Sequence, residues 1–300
     1  MKVVLAGGTG FLGTRLVARF LDDGHDAVLL TRVLWDEHRS RVRRVLWDGS
    51  NVGVWSREID GADAVINLAG EPLDARRWSD AQKAKILNSR VNATRAIVEA
   101  IRHAGLKPAI LVNASGVGYY GDVPDGDVTE ERKQGEGFLA EICARWEAEA
   151  EKVRKYGTRV AIVRTGIALA ADGGALVKML LPFRWFVGGP FGSGRQWFPW
   201  IHVEDVIGAI LHILQTPALE GPVNVTAPDP VTMQQFCLAL GNALHRPSRL
   251  RVPAGVMRMA LGEMAAMVLT GQKAVPQKLL DTGYKFRYSN VLVALEALPL

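Results

Sequence analysis

Lys2-Val3-Val4-Leu5-Ala6-Gly7-Gly8-Thr9-Gly10-Phe11-Leu12-Gly13 decides the fold of this 300-residue chain. The apolar run up to Ala6 reads as a buried strand, and Phe11–Asp22 as an amphipathic helix. Gly7, Gly10 and Gly13 between them fit a G-x-x-G-x-x-G spacing. The first glycine permits a tight turn out of the strand, the second lets backbone N–H groups approach a pyrophosphate, and the third allows close helix–strand packing. A glycine triplet alone is weak evidence. Placed between the first strand and the first helix, it predicts a dinucleotide site formed by Gly7, Thr9, Gly10, Phe11, Leu12 and Gly13.

Outward from this turn, β-rich and helical runs alternate. Strands are expected at Asp26–Thr31, Ala64–Leu68, Ala109–Ala114 and Arg159–Arg164, and helices at about Asp80–His103 and at Trp146–Lys155. This rhythm predicts an α/β fold, a Rossmann-type doubly wound parallel sheet with helices on both faces. After Gly173 the rhythm breaks. Pro182–Trp200 is rich in glycine, proline and aromatics, a helix begins near Val203, and Gly221–Thr226 can rejoin the sheet. From Val231 the chain is mostly helical, closing with a strand-like Tyr284–Tyr288 and a short helix. The expected division is a nucleotide-binding domain over residues 1–170, to which 200–230 return, and a smaller, mostly helical substrate or lid domain over 171–300.

The end of the second strand bears on the choice of dinucleotide. An acidic residue there suits NAD, whereas an arginine accommodates the 2′-phosphate of NADP. Thr31-Arg32 occupies the place, with no carboxylate nearer than Asp36. A guanidinium can bind the extra phosphate bidentately, so NADP is the expected cofactor, although a surface arginine ending a strand is the plainer alternative.

Composition agrees with an ordinary globular protein, 48% hydrophobic and 22% charged, with a net charge of +5. The basic cluster Arg39-Ser40-Arg41-Val42-Arg43-Arg44 is short and interrupted, and reads as a solvated face rather than a nucleic-acid patch. Cys143 and Cys237 lie far apart, and six scattered histidines have no ligand spacing, so neither a disulfide framework nor a metal site is expected. Met1-Lys2 runs straight into a strand, and the most apolar helix candidate, Ala254–Thr270, carries Arg258 and Glu263. A soluble, cytoplasmic protein with no membrane partner is therefore expected; a homodimer remains open.

Further motifs carry a resemblance. Asn67-Leu68-Ala69-Gly70-Glu71 is followed by Arg76-Arg77-Trp78, Ser115-Gly116-Val117-Gly118-Tyr119-Tyr120-Gly121, Trp146-Glu147, Gly188-Gly189-Pro190 and Trp200-Ile201-His202-Val203-Glu204-Asp205. Together with the glycine turn, and with Gly283-Tyr284, Phe286 and Tyr288, these resemble the extended short-chain dehydrogenase/reductases of the NAD-dependent epimerase/dehydratase type. The match is specific to their atypical branch, known as epimerase family or cell-division-inhibitor-like proteins, and covers essentially the whole chain. The resemblance implies that Leu68, Ala69 and Gly70 lie along the adenine ribose. Glu71 then contacts the cofactor or a substrate, or caps the next segment. Arg90, where relatives carry an asparagine, either faces the cofactor phosphates or makes a helix-surface ion pair. The backbone of Arg164 lies on the nicotinamide side.

The superfamily's chemistry uses a tyrosine in Tyr-x-x-x-Lys with a strand-end serine or threonine. Alignment on Glu147 puts Leu139 at the tyrosine position and Cys143 at the lysine position, and no other Tyr-x-x-x-Lys exists in the chain. Ser115, one place before the family serine, and the phenols Tyr119 and Tyr120 are the candidate catalytic replacements; their plainer reading is backbone capping and packing. Arg195, Gln196, Trp197 and Trp200 suit either a substrate wall or a domain joint. A Ser193-His202-Asp205 triad lacks a nucleophile elbow. Met257, Met259, Met264 and Met267 read as helix core. Two functions follow: an NADP-dependent oxidoreductase acting on a small carbonyl or sugar-like substrate, or a catalytically silent NADP(H)-binding sensor or partner-binding protein.

Overall fold

The computed structural model describes residues 1–34 and 41–300, so Asp36 and the Arg39-Ser40 end of the basic cluster lie outside the described residues. The strands are β1 (Lys2–Ala6), β2 (Asp26–Thr31), β3 (Val42–Leu46), β4 (Ala64–Asn67), β5 (Ile110–Gly116), β6 (Val123–Val128), β7 (Arg159–Thr165), β8 (Ile167–Leu169), β9 (Trp197–Phe198), β10 (Trp200–His202), β11 (Gly221–Val225), β12 (Val231–Thr232) and β13 (Gln272–Ala274). The helices are α1 (Phe11–Asp22), α2 (Asp80–His103), α3 (Phe138–Glu151), α4 (Gly174–Arg184), α5 (Val203–Gln215), α6 (Met233–Ala243), α7 (Ala254–Leu261), α8 (Ala266–Leu269), α9 (Gln277–Asp281) and α10 (Val291–Glu296).

Seven strands form one parallel sheet in the order β11-β7-β5-β4-β1-β2-β3. The chain builds outward from β1 in one direction through β2 and β3, then crosses back to lay β4 on the other side. Connections therefore diverge at the carboxyl ends of β1 and β4, where such sheets leave a crevice. Side chains alternate along β1: Val3 and Leu5 pack with Leu16 and Phe20 of α1 and Ile210 of α5, while Val4 and Ala6 pack with Ile97 and Ile101 of α2. Both faces are covered, which is why the strands read as continuously apolar.

A further core joins α4, α6 and α10 around Phe183, Trp200, Phe236 and Leu295. His202 caps α5, its Nδ1 accepting the N–H of Glu204 at 3.2 Å. Asp205 accepts the N–H groups of Arg287 and Tyr288 at 2.8 and 2.9 Å, and so ties the C-terminal segment to α5.

Several elements differ from expectation. Residues Arg41–Arg44 are not simply a solvated face: Val42–Leu46 is an edge strand, whose arginines hid its pattern while protecting the exposed edge. Helix α3 starts at Phe138, eight residues before the expected Trp146, and ends in a 3₁₀ turn over Lys152–Tyr156. The Ala254–Thr270 run is broken at Gly262, which adopts φ +61°. Tyr284–Tyr288 is irregular, because Asp205 takes two of the N–H groups a strand would need. Met259 is exposed rather than core. Among the described residues, no helix is long and apolar enough to cross a membrane.

Burial pushes the His202 imidazole below its ordinary pKa, and Nδ1 can accept the α5 capping bond only while unprotonated. As pH falls, the unfolded chain takes up this proton first. The contribution is thus complete above about pH 6.5 and is lost as pH drops toward the lower folded-state value. His202→Asn keeps a capping acceptor without the titration. From about pH 8 to about pH 5, the wild-type Tm should fall further than that of the variant; parallel curves would rule the mechanism out.

Candidate functional site

Gly7 leaves β1 at φ +80°, and a Cβ on it would lie 2.8 Å from the Leu68 carbonyl carbon. At Gly13 a Cβ would lie 2.2 Å from the Gly7 oxygen. Neither position admits a side chain, so α1 is held hard against the turn. Gly10 is the N-cap and offers no side-chain acceptor. The first N–H groups of α1 therefore retain the anion-binding character of an uncapped helix start.

The glycine turn opens onto a cavity of about 750 Å³ lined by Gly7, Thr9, Gly10, Thr31, Arg32 and Leu68-Ala69-Gly70-Glu71, within the ~300–1,000 Å³ range of ligand sites. Asn67 fixes its floor. Its Nδ2 donates to Thr94 Oγ1 at 2.9 Å and to Asn113 Oδ1 at 2.8 Å, while its Oδ1 accepts the N–H of Ala69 at 3.2 Å. Glu71 bonds Lys85 Nζ at 2.8 Å, and this ammonium holds its carboxyl below the ordinary value. Arg32 is exposed on the cavity wall. The sequence reading missed Lys85, Asn88, Ser89 and Asn92, which also line the cavity from α2. Their spacing of three and four residues, a polar stripe on one helix face, was the available signal. It also missed Asp48, whose carboxylate is lowered to about 2, chiefly by the Asn51 side chain and then by backbone N–H groups.

Four residues expected at this cavity, Phe11, Leu12, Gly13 and Arg90, do not line it. Arg90 runs beneath Gly70, donates to the carbonyl of Glu71 at 2.8 Å and lies 5.1 Å over the Trp146 ring. It buttresses the loop and is not among the cavity-lining residues. Phe11 and Leu12 are not lining residues either; the Phe11 ring packs against Gly173, and the ring lies under Arg15.

Arg164 is buried in a polar cluster behind the site. Its guanidinium grips Glu147 at 3.0 and 2.7 Å and donates to the Tyr120 hydroxyl at 2.9 Å. Ser115 Oγ donates to the same Glu147 at 2.6 Å. Tyr120 donates to Asn224 Oδ1 at 2.6 Å, and burial pushes its phenol up to about 12. Tyr119 faces the Arg164 guanidinium 3.5 Å from its ring centroid. The hydroxyls of Ser115 and Tyr120 and the ring of Tyr119 thus converge on one buried ion pair.

Beside the first cavity lies a second of about 580 Å³, over the carboxyl ends of β5 and β7. It receives Leu139 and Cys143 from α3, Gly116 and Gly118 from the turn after β5, and Trp197 and Phe198 from β9. Ser115, Tyr119 and Tyr120 do not line it. Arg195 and Gln196 do not line it either, and Trp200 is core. Met267 lines it instead of a helix core. Ser193 bonds Gln196 at 3.2 Å, and His202 and Asp205 serve helix and loop backbone, so no triad assembles.

This is a Rossmann-type α/β protein with a glycine-lined crevice at the switch point of its sheet. Residues 3–226 match the NAD dependent epimerase/dehydratase family, and 252–298 match DUF1731, a domain of unknown function. The chain belongs to the NAD-dependent epimerase/dehydratase family. It is 40% identical over 307 residues to an Arabidopsis thaliana protein named "Epimerase family protein SDR39U1 homolog, chloroplastic", covering 99% of this chain and 86% of that one. It is 37% identical over 299 residues to the Bacillus subtilis epimerase family protein YfhF, covering 99% and 98%. The structure of human epimerase family protein SDR39U1 with NADPH superposes with a TM-score of 0.89 at 34% identity, over 99% of each chain.

The Arg164–Glu147 pair generates a stability prediction. Arg164→Met and Glu147→Met each strand a buried charge, and each should cost about 3–5 kcal/mol in denaturant unfolding. The double variant should cost less than either single one. A double variant as damaging as the two losses added would show that the charges do not act as a pair.

Proposed function

We propose that the protein is an NADP(H)-dependent oxidoreductase of the short-chain type that acts on a small carbonyl compound. The observation that carries this is the turn in which Gly7 and Gly13 leave no room for a Cβ, which opens onto a cavity with Arg32 on its wall and no acid at the end of β2. In this reading Gly7, Thr9 and Gly10 cradle the pyrophosphate, Arg32 pairs with the 2′-phosphate, and Leu68, Ala69, Gly70 and Glu71 border the adenosine half. The matching structure named as containing NADPH supports the choice of cofactor. NADPH supplies a hydride for the carbonyl carbon, and the oxygen takes a proton from water. Residues 1–170 with 200–230 serve as the cofactor domain and 171–300 as the part that closes the substrate cleft.

A second reading, an NADP(H)-binding sensor without turnover, is favoured by one specific feature. Leu139 and Cys143 occupy the cavity wall where the superfamily's tyrosine and lysine are expected, and the nearby Tyr120 hydroxyl is held in the buried cluster. The two readings separate in a carbonyl panel: consumption of NADPH supports the enzyme, and tight binding without consumption supports the sensor.

A charge-assisted hydrogen bond contributes about 1.5–3 kcal/mol. Arg32→Ala should therefore raise the NADPH Kd by roughly tenfold or more while leaving the NADH Kd within about twofold. Equal losses for both coenzymes in a fluorescence titration would remove the 2′-phosphate role.

A further inference from the structure

The second cavity is unlike a sugar-nucleotide site in its chemistry. Among the described residues that line it, none is a lysine, arginine or histidine. Its charged residues are the three carboxylates Asp122, Glu136 and Glu263. Asp122 accepts the N–H of Gly271 at 3.1 Å, and Glu263 pairs with Lys83 at 2.9 Å. Two ammonium groups reach the wall from outside, Lys83 5.8 Å over the Phe138 ring and Lys273 5.3 Å over the Trp197 ring, but each is already paired with a carboxylate, Lys273 with Asp127 at 2.8 Å. Arg77 donates to the carbonyl of Met259 at 2.9 Å, and Arg164 pairs with Glu147. A diphosphate entering here would shed water without gaining a counter-charge, and would face like charge.

The polar side chains that would meet sugar hydroxyls are also committed. Thr270 Oγ1 donates to the carbonyl of Ala266 at 2.7 Å, and Gln272 Nε2 to that of Val117 at 2.6 Å. What remains is apolar and aromatic. Trp78 meets Phe138 edge to face at 4.9 Å, and Trp197, Phe198, Leu139 and Met267 complete the wall. Leu139 stands where a phenol would otherwise offer its hydroxyl, and a Cβ added at Gly118 would lie 3.1 Å from the Leu139 Cβ.

We infer that this second cavity takes a neutral, predominantly apolar ligand with aromatic surface, and excludes nucleotide sugars and other phosphorylated compounds. As a substrate class, a neutral aromatic carbonyl, it rests on the cofactor assignment proposed above. As a binding property it does not.

The test is equilibrium dialysis of the full chain against 2-naphthaldehyde, 2-naphthoate and UDP-glucose, with and without saturating NADP⁺. NADPH binding is titrated separately on the same preparation. The aldehyde should bind about tenfold or more tightly than the carboxylate of the same ring, and UDP-glucose should not bind beside NADP⁺. Trp78→Ala should weaken the aldehyde while leaving NADPH affinity unchanged. Thr270→Arg, at an exposed position, should bring the carboxylate to parity with the aldehyde. Binding of UDP-glucose beside NADP⁺, equal affinity for the two naphthyl compounds in the wild type, or no aldehyde binding to folded protein would each overturn the inference. Failure of NADPH to bind would instead remove the cofactor assignment, and the comparison without NADP⁺ would still decide what the cavity takes.

Discussion

The contact between Gly13 and the Gly7 carbonyl leaves no volume for a single methyl group, and the placement of the first cavity follows from it. Because α1 cannot stand off from the turn, its first N–H groups end at the carboxyl edge of β1. The same turn is pressed against Leu68 after β4, so the two strands that flank the switch point are locked together through backbone. Asn67 completes the lock from below, holding Ala69 while bonding Thr94 of α2 and Asn113 of β5. The crevice is therefore shaped mainly by main chain, which makes its geometry insensitive to most side-chain choices around it.

The two cavities adjoin at Pro72-Leu73, Pro72 lining the first and Leu73 the second, yet their chemistry diverges. The first is bordered by a helix start, an arginine and a polar helix stripe, groups that hold a charged ligand. The second is bordered by indoles, phenyl rings and thioethers, and its few charges are negative. In the function proposed above, a polyanionic cofactor in one chamber and an apolar carbonyl compound in the adjoining one would be brought together by position. Proximity can supply a large part of a hydride-transfer barrier, so such a site places less demand on an acid in the wall.

Much of the nucleotide half was legible in the sequence because the glycine spacing, the apolar strands and the helical period of α1 all report the same local geometry. Lys2–Ala6, Phe11–Asp22 and Asp80–His103 fall where their patterns predict. Legibility failed where tertiary context overrides local pattern. The edge strand Val42–Leu46 carries charges because one side of it has no neighbour, and α4 runs through Pro182, a residue that reads as a helix breaker. The second cavity was least visible. Its wall is collected from Leu73, α3, β9 and the Ala266–Gln272 segment, positions whose convergence no spacing rule encodes.

The Ser115-to-Gly121 motif is anchored in a buried polar network. Ser115 bonds Glu147, Tyr120 bridges Arg164 and Asn224, and the ring of Tyr119 lies over the guanidinium. A buried arginine with a bidentate carboxylate is costly to desolvate and worth keeping only if its remaining bonds are satisfied. Tyr120 and the carbonyl of Glu130 satisfy them. Asn224 extends the same network to the carbonyls of Val128 and Val275, so β5, β7, β11 and α3 are joined through one polar knot. Held this way, Tyr120 ties the edge strand β11, through Asn224, to the segment that follows β13.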